Sequence, residues 1–146
     1  MKKIKRKLTA RETAAKLCSL GRHTRKTLRD KLYAKKFPLC EIEEAVSAMV
    51  EIGYIDEEEY ARCFVSDSYR IKKHGRIRIL TELKMKGIES DVAEKAIDDF
   101  NADEKEIIKS EMEKRFPVKS EKEKILRYFV SRGFSLSDVR SFVDEE

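Results

Sequence analysis

Two histidines, His23 and His74, stand 51 residues apart, each just ahead of a segment dense in lysine and arginine. Loop residues are the simpler reading, and charging at about pH 6.5 would add to the positive patch that follows each of them. Three cysteines, Cys18, Cys40 and Cys63, are odd in number and sit within apolar helical patterns. Zinc needs four ligands at tight spacings such as C-x-x-C, which the chain lacks, so buried free thiols in a reducing compartment are expected. Asp56, Glu57, Glu58 and Glu59 are consecutive carboxylates. On a helix such neighbours point in different directions and do not converge on one ion, whereas they suit the positive end of a helix dipole. Gly-rich phosphate loops, nucleophile elbows and HExxH are missing. The reading is a non-enzymatic protein with no catalytic, metal or cofactor residues.

Charge carries more information. The formal net charge of +5 conceals blocks of +12 over residues 1–36, −8 over 37–68, +6 over 69–86 and −5 over the remainder. Segregation of that kind is not needed for a merely solvated surface. The first basic block contains Arg22, Arg25, Lys26, Arg29, Lys35 and Lys36; the second contains Lys72, Lys73, Arg76, Arg78, Lys84 and Lys86. On a helix starting at Thr24, residues 25, 29 and 36 fall within about 40° of one another at 100° per residue, and Leu28 and Leu32 are read as the packing side. Cationic ridges facing an anionic partner are therefore expected, either nucleic-acid phosphate or an acidic protein face. The acidic residues Glu41, Glu43, Glu44 and Glu57–Glu59 either face a basic partner surface or balance neighbouring modules, the second being the favoured reading. Tyr33, Phe37, Tyr54, Tyr60, Phe64 and Phe100 recur at core spacings, which favours packing over base stacking.

The elements that position these residues repeat. Leu28, Leu32, Phe37, Ile42, Ala45, Val46 and Met49 superpose on Ile79, Leu83, Ile88, Ala93, Ala96, Ile97 and Phe100 at a shift of 51. A further shift of 46 reaches Ile125, Phe129, Phe134, Val139, Phe142 and Val143. The corners Lys36-Phe37, Gly87-Ile88 and Gly133-Phe134 end the middle helix of each copy. Glycine takes a left-handed turn freely, whereas Lys36 is strained there by about 1 kcal/mol. Gly53 closes one helix and Asp56 opens the next, a stop-and-start joint. Thr24, Asp56, Ser90, Asp103, Ser120 and Ser135 are read as capping residues, and leading helices are expected over 10–20, 56–72 and 103–116. The fold expected is all-α: three tandem three-helix repeats in an elongated, curved array. Repeat one with a basic N-terminal tail covers 1–52, repeat two 53–101 and repeat three 102–146. No apolar run is long enough to span a membrane, and a cytoplasmic monomer is expected.

With these motifs in view, the chain resembles the RecX family of bacterial recombination regulators. The resemblance is carried by Gly53-Tyr54-Ile55-Asp56 with Tyr60-Ala61, and by His74-Gly75-Arg76-Ile77-Arg78-Ile79 followed by Glu82-Leu83 and Lys86-Gly87-Ile88. It implies binding to the RecA recombinase filament on single-stranded DNA, restraint of its assembly, ATPase, strand-exchange and co-protease activities, and weak sequence-blind duplex binding. Thr27 departs from the family's more frequent Glu, which implies that the Thr24 helix lacks a capping-box partner. The competing reading is a helix-turn-helix-like duplex binder that reads bases from 76–86.

Overall fold

The computed structural model describes residues 6–144, so residues 1–5 of the expected basic tail lie outside it. Among the described residues there is no strand. Nine α-helices follow in three triplets: α1 (Ala10–Leu20), α2 (Arg25–Ala34), α3 (Leu39–Ile52); α4 (Glu57–Asp67), α5 (Arg76–Met85), α6 (Ser90–Phe100); α7 (Glu104–Arg115), α8 (Lys122–Ser131), α9 (Leu136–Val143). A π-helical turn, Ser68–Lys72, extends α4 and ends at Lys73, whose φ is 57°.

Local chemistry sets most of these boundaries. Thr9 caps α1 in a capping box with Glu12, a start that the sequence reading did not single out. Asp56, Asp103 and Ser135 each accept the amide three residues on, at 3.1 Å. The Thr24 start corrects the expectation of a missing partner. Its backbone amide donates to Thr27 Oγ1 at 2.8 Å, and the Thr27 amide donates to Thr24 Oγ1 at 3.1 Å. A threonine hydroxyl thus fills the role of the carboxylate in the capping box. Ser90 and Ser120 do not cap: α6 and α8 start after Glu89 and Glu121, without a side-chain cap bond.

The chain divides into two compact units. One comprises residues up to Tyr60 with Lys86–Ile88, the other Ala61–Met85 and the chain from Glu89 on. In the first unit Leu28, Leu32, Ile42, Val46 and Met49 are buried together with Ala14. Each fully buried leucine contributes roughly 1.5–3 kcal/mol by leaving water. In the second, Ile108, Phe129, Phe134, Val139 and Val143 form a core cluster, and Tyr69 stacks on Phe100 at 5.3 Å. Most of the positions that the 51- and 46-residue shifts bring into register are buried, with Phe37, Phe100 and Phe142 only partly so.

The three corners take the left-handed conformation, with φ of 67° at Lys36, 87° at Gly87 and 96° at Gly133. Two of them also dock. The Gly75 amide donates to the Arg132 carbonyl at 2.8 Å and the Ile77 amide to the Gly133 carbonyl at 3.1 Å. The free amides at the start of α5 are thereby satisfied by the end of α8. In the first unit the Thr24 hydroxyl donates to the Lys86 carbonyl. No helix among the described residues is long and apolar enough to cross a membrane.

Candidate functional site

The two expected ridges lie on α2 and α5, but the charges on them are already engaged. Arg25 meets Glu57 at 3.4 Å, Lys26 meets Asp30 at 3.2 Å and Arg29 meets Glu43 at 2.8 Å. On α5, Arg76 meets Asp98 at 2.8 Å and Arg78 meets Glu82 at 2.7 Å. Arg78 also donates to the Ser131 carbonyl at 3.3 Å. The Asp98 hydrogen bond, the largest cause, holds the Arg76 guanidinium above its usual pKa. The acidic residues Glu43, Glu44 and Glu57 balance Arg29, Arg11 and Arg25 within the chain.

The expected alignment of residues 25, 29 and 36 is not realised. Helix α2 ends at Ala34, and Lys36 lies beyond it in the left-handed corner. Among the described residues Arg22, Lys35, Lys36, Lys73, Lys84 and Lys86 make no ion pair with a carboxylate. Lys72 lies over the Phe64 ring at 5.5 Å. The twelve cations therefore separate into helix residues tied to carboxylates and residues at helix ends that are not.

Both histidines are only 6% exposed. His23 Nδ1 lies 3.0 Å from the Gly21 carbonyl, which only accepts, so Nδ1 carries the proton and Nε2 the lone pair. Nε2 has no hydrogen-bond partner. His74 donates its backbone amide to the Ser68 carbonyl at 3.0 Å, while its Nδ1 stays 3.9 Å from Glu82. Burial pushes both imidazoles below their usual pKa, helped by Lys31 at His23 and by Arg78 at His74. They lie in the loops ahead of α2 and α5, as expected, and the lowered pKa disfavours the charging near pH 6.5 that would add to a positive patch.

Other side chains also depart from the sequence reading. Cys40 is exposed and Cys18 and Cys63 are half-buried free thiols, so none is the fully buried thiol expected. Tyr33 and Tyr54 are 73% and 58% exposed and do not pack in the core. Glu104 was missed. One of its oxygens accepts from the Tyr69 hydroxyl at 2.8 Å and from the Arg76 amide at 2.6 Å. Burial, then this carboxylate, raises the Tyr69 pKa. No local spacing signals a carboxylate that caps a helix 28 residues earlier. No group of three or more His, Cys, Asp or Glu among the described residues is placed to hold a metal ion.

Comparison with known proteins gives a consistent result. A family model described as RecX, second three-helix domain, matches residues 56–97. The chain is 33% identical over 144 residues to the regulatory protein RecX of Vibrio vulnificus, across 95% of this chain and 94% of that one. It is also 33% identical to the regulatory protein RecX of Caldanaerobacter subterraneus, across 89% of this chain but 66% of that longer protein. The crystal structure of RecX from Lactobacillus salivarius matches with a TM-score of 0.76 at 22% identity, covering 92% of each chain. A second structure, of regulatory protein RecX, matches with a TM-score of 0.79 at 22% identity, covering 94% of this chain and 70% of that one.

Proposed function

The chain belongs to the RecX family of regulatory proteins, and on that premise we propose that it binds the RecA filament on single-stranded DNA and restrains it without chemistry of its own. Assembly, ATP hydrolysis, strand exchange and co-protease activity of the recombinase are the processes restrained, in the cytoplasm, by a monomer. The observation that carries this reading is similarity to a regulatory RecX protein across nearly the whole length of both chains. The surface chemistry supports it. The helix cations Arg25, Lys26, Arg29, Arg76 and Arg78 lie in ion pairs that are substantially exposed. Such pairs contribute only about 0.2–1 kcal/mol each, so an acidic or phosphate-bearing partner can exchange for the internal carboxylate. Arg22, Lys35, Lys36, Lys72, Lys73, Lys84 and Lys86 need no such exchange.

Base reading by α5 in the helix-turn-helix manner is disfavoured. The N-terminus of α5, the end a recognition helix turns toward base edges, is already occupied by the Glu104 carboxylate and by the Arg132 and Gly133 carbonyls. The test is titration of purified protein into recombinase on single-stranded DNA, following ATP hydrolysis and filament length at two salt concentrations. Inhibition well below one protein per recombinase, weakened by salt, is expected. Unchanged hydrolysis and filament length overturn the proposal. A tight duplex site with a large specificity ratio would favour the helix-turn-helix reading instead.

A further inference from the structure

Apolar residues brought into register by the 51-residue shift are mostly buried, as Leu28 with Ile79, Leu32 with Leu83 and Val46 with Ile97 show. Among pairs of large aliphatics, one is different. Leu20 and Ile71 also lie 51 residues apart, and they are 76% and 75% exposed. Leu20 ends α1 and Ile71 lies in the π-helical turn after α4, so both stand where the first helix of a repeat gives way to the second. The third repeat has the same feature shifted by one residue, with Val118 fully exposed in the turn between α7 and α8. Single exposed aliphatics are ordinary on any surface. Recurrence at one place in each repeat is not.

Each of these loops also holds a cation that makes no ion pair with a carboxylate among the described residues: Arg22, Lys73 and Lys119. They contrast with the paired arginines on α2 and α5. In the first two repeats the loop carries a buried histidine: His23 Nδ1 lies 3.0 Å from the Gly21 carbonyl, and the His74 backbone amide donates to the Ser68 carbonyl. The combination selects among anionic partners. A phosphate backbone attracts the cation but gains nothing from Leu, Ile or Val, and bases stack on aromatic rings. An acidic protein patch bordered by apolar side chains engages both.

We infer that the loops at Leu20/Arg22, Ile71/Lys73 and Val118/Lys119 are protein-contact sites, each fitted to an acidic, apolar-edged patch on a protein subunit. This rests on the filament reading above and deepens it: contact with the recombinase subunits is assigned to the loops, and nucleic acid is not their ligand.

The test compares wild type with the double variant Leu20→Ser/Ile71→Ser and with Val118→Ser, all as full chains. Three readouts are taken: half-inhibition of recombinase ATPase on single-stranded DNA, affinity for a fluorescent single strand without recombinase, and melting temperature. The double variant is expected to raise the half-inhibition concentration by about tenfold or more, as loss of interface anchors does. Its strand affinity and melting temperature stay at the wild-type values. Val118→Ser shifts inhibition in the same direction by a smaller factor. Half-inhibition unchanged in the double variant overturns the inference alone. A loss of affinity for the bare strand that parallels the loss of inhibition overturns it too, and makes the loops a nucleic-acid surface. A wild-type protein without effect on the filament overturns the filament reading and this inference together.

Discussion

Lys36 and Gly133 occupy the same corner in two different repeats, with φ of 67° and 96°, yet their surroundings have nothing in common. The Lys36 corner is exposed. A Cβ at Gly133 would stand 2.3 Å from Arg78 Cβ and 2.5 Å from the Arg78 amide nitrogen. The Gly133 and Arg132 carbonyls reach the first amides of α5, and that approach leaves no room for a methyl group. Glycine at a repeat corner therefore answers to two separate demands. One is the left-handed turn, which every corner makes and a lysine tolerates at a cost. The other is backbone contact with another helix, which Lys36 is spared.

The strongest way to break this comparison is to place a side chain where the approach is closest. Gly133→Ala combines left-handed strain with overpacking against fixed backbone, and a loss of about 3 kcal/mol is expected from the two together. Urea denaturation measures it, and a loss of only about 1 kcal/mol, the strain alone, would show that the docked carbonyls can move aside. Gly87→Ala separates the two demands. Its φ is 87°, but the nearest atom to a new Cβ is Lys26 Cβ at 2.7 Å, the root of an exposed side chain. Rotation of Lys26 moves its Cγ and Cδ but not its Cβ, and with no backbone atom as close as at Gly133 a loss of about 2 kcal/mol is expected, between strain alone and the Gly133 case. Equal losses at the two glycines would remove the distinction between a backbone and a side-chain neighbour.

What the sequence disclosed follows the same division between local and distant causes. The helix triplets were legible because register, corner residues and the caps at Thr24, Asp56, Asp103 and Ser135 act within a few residues of one another. Thr27 as a capping partner was not, because the familiar pattern has a carboxylate there and a hydroxyl serves as well. The cations were found as a set, but their pairing was out of reach. Glu57 meets Arg25 across 32 positions and Asp98 meets Arg76 across 22, distances over which spacing carries no signal. Periodicity likewise assigned Tyr33 and Tyr54 to the core and made Lys36 part of a helix that stops two residues earlier. The exposure of Leu20 and Ile71 belongs to the same class, since a helix-end residue can face either way until its neighbours are placed.

The smallest effect is the most discriminating. Lys36→Gly relieves a left-handed non-glycine residue, worth about 1–2 kcal/mol, and gives back about 0.5–1 kcal/mol through the greater freedom of an unfolded chain with one more glycine. The Lys36 side chain makes no ion pair with a carboxylate among the described residues, so no pairing is lost. A net gain of up to about 1 kcal/mol is expected, seen as a higher urea midpoint at unchanged slope. Lys36 is exposed, and the proposed filament reading gives its charge a role in partner contact. Lys36→Gly should then weaken recombinase inhibition while raising stability, whereas Lys36→Arg leaves both near wild type. If Lys36→Gly destabilises the fold, the corner is a packed element after all, and the contrast with Gly133 fails at its free end.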